Sequence, residues 1–397
     1  MAVVASCATA AAQPAPYSIV EIGTLPGATE AYATDINERL QVVGVSGGRP
    51  FIWEQGTGMR ELPAPGRVQS IRINDAGVMV ATCDSGGRQQ LCVWQGDALS
   101  VLDVPVQGGV TLGKLTDNGI LLVQTLQLPA TYRQFAIAGG VVYDLNALFG
   151  GRIFSLNSHG LVGGLADDGR GFVADLSGTR RSPFPQGVAV EAVGEAGHLA
   201  GAPTSGAVLY LAAPDGAVEA IPCECFFPFG SVGDINRNGD FVANLKGIST
   251  TTTARVVRQH RLYGPSSLVP GGALSQLFTS FAGITDSGHI AASAPVGAGI
   301  LPRAVLLVPN LPRAPTGVVA SPGARTIGVR WDAVEGAVAY QVEAGTSPGA
   351  TDVYSGDVGN VTSVTSPIPA GIYYVRVRAI SPAGLGPASA EVVFTIP

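Results

Sequence analysis

The segment Asp234–Leu245, "DINRNGDFVANL", decides how this chain folds once it is compared with the rest of the sequence. Oxygen-bearing side chains occupy alternate positions from Asp234 to Asp240, and Gly239 supplies a sharp turn, as in a calcium loop. A calcium loop also needs a bidentate carboxylate at its twelfth position, where this chain has Leu245. The segment therefore offers two alternatives, a metal site and a polar hairpin turn.

Segments of the same pattern recur along the chain at intervals of 37 to 49 residues. The aligned apolar residue of the seven copies is Ile36, Ile73, Leu115, Leu156, Val193, Ile235 and Ile284. A period of about 40 to 50 residues in an all-β chain is typical of a β-propeller, in which each blade has four antiparallel strands. The repeat thus predicts seven blades over residues 17–310.

The recurring glycine distinguishes a polar hairpin turn from a metal site. Six copies have Asn, Thr or Gly directly after the apolar residue and Gly three residues further on, and the first copy has Leu40 instead. This pattern is typical of a type I turn that a left-handed glycine closes into a hairpin. The alternating oxygens of Asp234–Leu245 are absent from the other copies, so we predict hairpin turns, with no metal site and no cofactor.

Each repeat contains four apolar strand segments, except the last. The second repeat reads "VQSIRI", "VMVATC", "LCVWQG" and "LSVLDV", whereas the last ends after its third strand, "RAVLLVP". The N-terminal segment "YSIVEIGTLPG", from Tyr17, has the form of the missing outer strand. We therefore predict a seven-bladed β-propeller closed by the N-terminal strand, which leaves no open sheet edge.

The repeat also resembles a known family. Its apolar–Asn–x–x–Gly turn, its "VVG" strand and its aromatic third strand resemble the bacterial extracellular HAF repeats over residues 17–310. Arg precedes the third-strand aromatic residue, in "RPF", "RQF" and "RGF", where that family tends to have His. The resemblance implies the propeller architecture and export, and it implies no reaction.

A different pattern begins near residue 311. Trp331 in "TIGVRWDAV", Tyr340 in "AYQVEAG" and Tyr373 at the start of "YYVRVRAISPAGLGPAS" resemble the core residues of a fibronectin type III domain. The resemblance implies a β-sandwich over residues 311–397, with Trp331 between its sheets and the Tyr373 hydroxyl bonded to upstream backbone. We expect this domain to act as a spacer.

Composition limits the partners and the location. The net charge is −6 and no basic stripe is present, which argues against a nucleic-acid partner. No apolar run reaches about 18 residues, so we expect no transmembrane segment. Residues 1–16 resemble the end of an export signal, with a lipid anchor at Cys7 as the alternative. We expect a secreted, cell-surface or periplasmic monomer.

The other four cysteines are Cys83, Cys92, Cys223 and Cys225. An even number of cysteines in an exported chain favours disulfides. Cys83 and Cys92 end one predicted strand and begin the next, so they can face each other across a hairpin. The alternative for this pair is buried free thiols, and the state of Cys223 and Cys225 stays open.

No motif for catalysis is present, and we predict no catalytic residues. Two features suggest ligand binding. Five arginines each precede an apolar third-strand residue by two positions, and three phenylalanines lie in the connection "CECFFPFG": Arg49, Arg133, Arg170, Arg255 and Arg303, with Phe226, Phe227 and Phe229. The structural alternatives are arginines paired within or between blades and phenylalanines packed between blades.

The sequence therefore favours an exported, non-catalytic binding or scaffold protein. Its propeller face is expected to bind a polysaccharide or a cell-surface protein. The alternative is a secreted carbohydrate-active enzyme, a glycosidase or lyase, with the fibronectin type III domain as a spacer. A pair of carboxylates converging at the propeller channel would favour the enzyme.

Overall fold

The computed structural model describes residues 15–103, 109–127, 131–175, 177–203, 206–227, 229–246, 252–270, 274, 279–295 and 301–397. The described residues divide into two compact units, one within residues 18–308 and one of residues 15–17 with 309–397. Within the described residues, strands dominate and no helix has the length and hydropathy needed to cross a membrane. The protein is therefore all-β, as the sequence predicts.

The larger unit consists of short strands with two short helices. In chain order these are β1 (Tyr17–Gly23), β2 (Ala31–Ile36), β3 (Val42–Ser46), β4 (Arg49–Glu54), β5 (Gly58–Glu61), β6 (Arg67–Ile73), β7 (Val78–Ser85), β8 (Arg88–Gln95), β9 (Ala98–Asp103), β10 (Gly109–Leu115), β11 (Leu121–Gln127), β12 (Thr131–Ala138), β13 (Val141–Asp144), α1 (Leu145–Phe149), β14 (Arg152–Leu156), β15 (Val162–Leu165), β16 (Gly171–Ala174), β17 (Arg180–Arg181), β18 (Ala192–Val193), β19 (Leu199–Gly201), β20 (Gly206–Ala212), β21 (Val218–Phe227), β22 (Phe229–Ile235), β23 (Phe241–Lys246), β24 (Thr252–Arg258), β25 (Arg261–Tyr263), α2 (Pro265–Leu268), β26 (Ser280–Ile284), β27 (Ile290–Pro295) and β28 (Pro302–Pro309).

These strands form successive four-stranded sheets, which we number in chain order. The first sheet is β2–β5, the second β6–β9, the third β10–β13, the fourth β14–β17, the fifth β18–β21 and the sixth β22–β25. The seventh has the order β1-β28-β27-β26, so the N-terminal strand lies beside the last strand of the repeat. Four-stranded sheets in this succession are the architecture of a β-propeller.

Apolar residues pack between consecutive sheets. Val43 and Ile52 of the first sheet share a core with Ile71 and Trp94 of the second, and similar clusters join later pairs. The first sheet also packs on the seventh, and the Ala33 N–H donates to the Ser293 hydroxyl across that junction at 3.0 Å. Burial of alternate apolar side chains on both faces of each sheet thus holds the larger unit together.

Disulfide bonding follows the expected hairpin in the second sheet. Cys83 at the end of β7 is bonded to Cys92 in β8, and their α-carbons are 6.0 Å apart. Both cysteines are completely buried. The predicted bridge is therefore confirmed. Cys223 is also disulfide-bonded, and the side chain of Cys225 lies outside the described part of the chain.

The smaller unit contains two packed sheets. Its strands are β29 (Val319–Gly323), β30 (Thr326–Arg330), β31 (Ala339–Gly345), β32 (Tyr354–Asp357), β33 (Ser363–Pro367), β34 (Gly371–Ser381), β35 (Gly384–Ala388) and β36 (Val392–Ile396). One sheet has the order β29-β30-β33, and the other β32-β31-β34-β35, with β36 also paired to β34. Trp331 and Tyr340 pack in the core with ring centroids 5.4 Å apart, and the Tyr373 hydroxyl donates to the Pro369 carbonyl at 3.1 Å.

Candidate functional site

The polar turns join neighbouring sheets. In the turn after β22, the Asn236 side-chain oxygen accepts the N–H groups of Asn238 and Asp240 at 3.0 and 2.9 Å. Its amide nitrogen donates to the Thr285 carbonyl oxygen of the next sheet at 2.9 Å. Equivalent bonds run from Asn37 to Asn74, from Asn74 to Thr116 and from Asn157 to Gly194. The oxygens of "DINRNGD" thus serve a hairpin and a sheet-to-sheet contact.

The first strand of most sheets contains a β-bulge at an equivalent place. In β2, β14, β22 and β26 the pairing register shifts between the third and the first residue before the aligned apolar residue. In β6 it shifts between Val68 and Ile71, and in β10 between Leu112 and Leu115. A bulge adds one unpaired residue and re-aims the side chains around it. Because the first strand has no partner on its inner edge, these side chains can reach the centre of the unit.

The first strands surround a cavity of about 820 Å³, which we call the central cavity. Residues from the first strands of six sheets line it, and the fifth sheet contributes Glu191 and Glu195, which flank β18. Because a strand rises by about 3.3 Å per residue, these residues form levels along the cavity. The level nearest the hairpins is the turn end, the charged residues before the aligned apolar position form the middle, and Arg152, Ser231 and Ser280 mark the far end.

The turn end carries a ring of mostly acidic residues, which we call the turn ring: Glu38, Asp75, Asp117, Ser158, Glu195, Arg237 and Asp286. Its carboxylates accept N–H groups from neighbouring turns. The N–H of Glu38 donates to Asp75 at 2.8 Å, and the N–H of Asp286 donates to Glu38 at 2.8 Å. The acids therefore connect the turns to one another, including the seventh to the first.

Arg237 extends across the turn end. Its guanidinium group lies 3.3 Å from Asp286 in the next sheet and 4.0 Å from Asp117, which belongs to the third sheet. The third and sixth sheets lie on opposite sides of the succession, so these contacts span the opening. Arg237 thus neutralises part of the acidic ring and narrows this end of the central cavity.

Arg72 occupies the middle level and binds backbone. Its guanidinium donates to the carbonyl oxygens of Gly113, Thr34 and Leu112 at 2.8, 2.7 and 3.3 Å. Gly113 and Thr34 are bulge residues of the two flanking sheets, where strand pairing leaves carbonyl groups without a ladder partner. Arg72 therefore satisfies backbone acceptors exposed to the cavity.

Two carboxylates converge in the middle level. A Cβ at Gly283 would lie 3.3 Å from an Asp234 oxygen and 3.5 Å from an Asp35 oxygen, so both carboxylates flank this glycine. Burial raises the pKa of Asp35 to about 6, although Arg72 opposes the shift. Both Asp35 oxygens accept backbone N–H groups, from Ile36 at 3.0 Å and Ile73 at 3.1 Å. The pair is thus largely engaged in holding neighbouring strands.

Lys114 complements these carboxylates. Its ammonium group is 3.6 Å from Asp234. Burial disfavours its charge, but the carboxylates of Asp234, Glu195 and Asp35 outweigh this effect and raise its pKa. Lys114 therefore stays protonated at neutral pH, which argues against a role as a general base or nucleophile.

The far end differs from the other two levels. Glu191 accepts the Val232 N–H at 2.7 Å through one oxygen, and burial raises its pKa to about 7 despite the nearby Arg152. The Arg152 guanidinium lies over the rings of Phe154 and Tyr132, at 5.3 and 5.8 Å from their centroids. This end therefore combines a carboxylate, a guanidinium and aromatic surface.

The five predicted arginines lie on or just before the third strands, in five different sheets. Arg49 is bonded to Glu61 at 2.6 Å and to the Pro26 carbonyl at 2.6 Å, and Arg133 is paired with Asp144. Arg255 donates to the Ala254 carbonyl at 2.9 Å, and Arg303 approaches the Thr24 hydroxyl at 3.5 Å. Arg170 is exposed, and its guanidinium has no hydrogen-bond or ion-pair partner among the described residues. Their role in binding stays a prediction.

The predicted aromatic platform lies outside the described side chains. Phe226 and Phe227 end β21, and Phe229 begins β22. All three therefore lie where the fifth sheet connects to the sixth. Residues 1–14, with the predicted lipid-anchor position Cys7, also lie outside the described residues.

Sequence reasoning missed the central cavity, and of its middle-level charged residues it weighed only Asp234, as a calcium ligand. A signal was present, because Asp35, Arg72, Lys114 and Asp234 all directly precede the aligned apolar residue of their repeat. A charged residue at one recurring position of otherwise apolar inner strands indicates a shared polar interior. No sequence pattern predicts the β-bulge that turns these side chains inward.

Comparison with known proteins finds similarity in solved structures alone. No protein-family model matches this chain, and no curated protein matches it. The chain is similar to the structure of a streptogramin B lyase, with 13% identity, a TM-score of 0.48, and coverage of 74% of this chain and 98% of that one.

Two further structures are similar to parts of the chain. One is the extracellular domain of a putative hybrid two-component system from B. thetaiotaomicron, with 13% identity, a TM-score of 0.47, and coverage of 81% of this chain and 46% of that one. The other is a Fn3-like protein from Clostridium thermocellum, with 28% identity, a TM-score of 0.20, and coverage of 22% of this chain and 96% of that one. Similarity at these scores says nothing about the ligand or activity of this chain.

Proposed function

We propose that this chain is an exported, non-catalytic binding or scaffold protein that holds a carbohydrate or protein ligand on its propeller. In this proposal residues 17–310 form a seven-bladed propeller of the HAF-repeat type, closed by β1. Residues 311–397 are a fibronectin type III-like spacer. The observation that carries the proposal is the central cavity, whose volume of about 820 Å³ is that of a small-molecule site.

The contacts of the charged residues support binding over catalysis. A general acid or base needs a carboxyl group that can reach a substrate and exchange its proton. Both oxygens of Asp35 hold backbone N–H groups, and the pKa of Lys114 is raised. The middle level thus serves as a rigid polar lining.

The predicted arginine rim is part of the same proposal. Arg170 is the rim member with an exposed and unengaged guanidinium among the described residues, so it is suited to a carboxylate on a ligand. Arg49 and Arg133 are already neutralised by Glu61 and Asp144 and would contribute less.

A binding screen tests the proposal. The purified full-length protein is applied to glycan and peptide arrays, and hits are measured by calorimetry. A reproducible ligand with a dissociation constant in the micromolar range or tighter is expected. A protein that binds no member of either array would contradict the proposed function.

The second candidate is a carbohydrate-active enzyme, favoured by one observation. Asp35 and Glu191 both line the central cavity with raised pKa values of about 6 and about 7, and perturbed carboxyl groups are typical of acid–base sites. Release of reducing ends or unsaturated products from polysaccharides, lost in Glu191→Gln, would establish it in place of the binding protein.

A further inference from the structure

The central cavity has unequal ends, and this inequality indicates how a ligand enters. At the turn end, Arg237 spans the opening through Asp286 and Asp117, and the carboxylates of the turn ring hold neighbouring N–H groups. In the middle, the Arg72 guanidinium donates to the carbonyl oxygens of four residues, Gly113, Thr34, Leu112 and Ile71. Most polar groups of these two levels are therefore already engaged.

The far end keeps unused hydrogen-bonding capacity. Among the described residues, the hydroxyl groups of Ser70, Ser231 and Ser280 have no hydrogen-bond partner, and all three line the central cavity. One oxygen of Glu191 and the guanidinium of Arg152 are likewise without a hydrogen bond to a described residue. Five groups that donate or accept hydrogen bonds therefore face the same space.

The chemistry of these groups selects a class of ligand. An apolar ligand would leave the second Glu191 oxygen and the serine hydroxyl groups without hydrogen bonds, which is costly. A strongly charged ligand would be repelled by one of two side chains, because Glu191 is acidic and Arg152 is basic. An uncharged ligand with many hydroxyl groups satisfies donors and acceptors together, and Phe154 adds apolar surface to the lining beside the Arg152 guanidinium.

We propose that the far end of the central cavity is a saccharide subsite that takes an uncharged mono- or oligosaccharide through the opening opposite the hairpin turns. Glu191 and Arg152 anchor its hydroxyl groups, and the three serines complete the polar lining. Arg237 keeps the turn end narrowed, so the saccharide enters and leaves at the far end. This inference rests on the proposed binding function and gives it a ligand class and a position.

Calorimetry with uncharged cello-, xylo-, manno- and chito-oligosaccharides tests the subsite in the full-length protein. The variants are Glu191→Gln, which keeps the shape but removes the charge, and Ser231→Trp, which fills the far end. Arg237→Ala widens the turn end, and Ser100→Trp is the matched control, since Ser100 is exposed on the outer strand β9. Circular dichroism and melting temperature establish that each variant is folded.

We expect at least one oligosaccharide to bind. Glu191→Gln should weaken it by about tenfold or more, the loss typical for a hydrogen bond to a charged group. Ser231→Trp should abolish binding, whereas Arg237→Ala and Ser100→Trp should stay within about twofold of the parent. If Ser231→Trp does not fold, Glu191→Gln and Ser280→Ala replace it, and weaker saccharide binding by both variants supports the subsite.

Three results would overturn the subsite. Saccharide binding that survives Glu191→Gln and Ser231→Trp places the ligand elsewhere. Binding of a peptide, but of no oligosaccharide, contradicts the ligand class while the proposed binding function stands. Binding of neither ligand contradicts both proposals.

Discussion

The side-chain amide of Asn236 donates a hydrogen bond to the carbonyl oxygen of Thr285, 49 positions further along the chain and in the next sheet. Asn236 is buried and also accepts two N–H groups of its own turn. One side chain thus shapes a hairpin and fastens it to its neighbour. This explains why asparagine recurs after the aligned apolar residue.

Replacing Asn236 with alanine should destabilise the larger unit by about 1–3 kcal/mol, because the N–H groups of Asn238 and Asp240 and the Thr285 carbonyl lose their side-chain partner. Urea unfolding of Asn236→Ala against the parent measures the loss. Gln69→Ala, at an exposed position of β6, is the control and should change stability by less than about 0.5 kcal/mol. A melting temperature that rises with calcium and falls with a chelator would contradict the structural role.

Removing residues 1–23 should disrupt cooperative unfolding of the larger unit. The deletion takes away β1, exposes the edge of β28 and removes the buried ring of Tyr17. We expect a lower melting temperature and a tendency to associate, measured by calorimetry and by light scattering. A monomeric deletion variant that melts like the parent would show that β1 does not close the ring.

The Cys83–Cys92 bridge should contribute about 2–3 kcal/mol, because it closes a short loop in the unfolded chain. The double variant Cys83→Ala/Cys92→Ala should lose that amount relative to the oxidised parent, as measured by urea unfolding. The variant separates this bridge from the disulfide of Cys223, which a reducing agent would also break. Mass spectrometry that finds both thiols free after oxidative expression would contradict the assignment.

Stability should fall as the pH rises from about 4 to about 7. Burial raises the pKa of Asp35 to about 6 and that of Glu191 to about 7, whereas the unfolded chain releases both protons near pH 4. The folded protein therefore holds protons that the unfolded chain has lost, so this stabilisation is complete below pH 4 and disappears as the pH passes the folded values. Each unit of pKa difference corresponds to about 1.4 kcal/mol.

Urea unfolding at pH 5 and pH 7.5 measures this dependence. Asp35→Asn/Glu191→Gln should reduce it and leave the part due to Glu38, whose pKa burial also raises to about 7. Asp167→Asn, in an exposed turn, should leave it unchanged. The same pH dependence in the parent and in the double variant would show that neither carboxyl group is its source.

Arg49→Ala and Arg170→Ala should behave differently. Arg49→Ala removes an ion pair with Glu61 and a hydrogen bond to the Pro26 carbonyl, so it should lower the free energy of unfolding by about 0.5–1 kcal/mol. Arg170 has no such contacts among the described residues, so Arg170→Ala should leave the melting temperature unchanged. If the rim binds an anionic ligand, Arg170→Ala should reduce the salt dependence of that binding. Unchanged salt dependence would remove Arg170 from the site.

The periodic features of this fold could be predicted from sequence. The turn glycines and the strand segments recur at regular intervals, because every sheet needs the same strands and the same hairpin turn. Even the exception is informative. Leu40 replaces glycine yet has φ of 59°, since the hydrogen bonds of its turn impose the left-handed conformation on it.

The site could not be predicted in the same way, because it is assembled from positions that differ between repeats. Asp35 and Asp234 are about two hundred residues apart, and they meet over Gly283 only after the first and sixth sheets flank the seventh. The residues next to Asp35 in the sequence do not indicate that Asp234 lies near it in the fold. The arginines were visible as a pattern, but their neutralisation was not: Glu61 and Asp144 reach Arg49 and Arg133 from the fourth strand, where they pair with Phe51 and Phe135.

The hydrogen bond from the Asp286 N–H to Glu38 joins the last turn of the succession to the first. Each copy of the repeat is free to vary in its own residues, as Leu40 does, but this junction depends on how many copies precede it. A chain with one repeat more or fewer would bring the two turns together at another curvature and lose the bond. Change in such a protein is therefore expected to proceed by substitution within the repeats, with their number held constant.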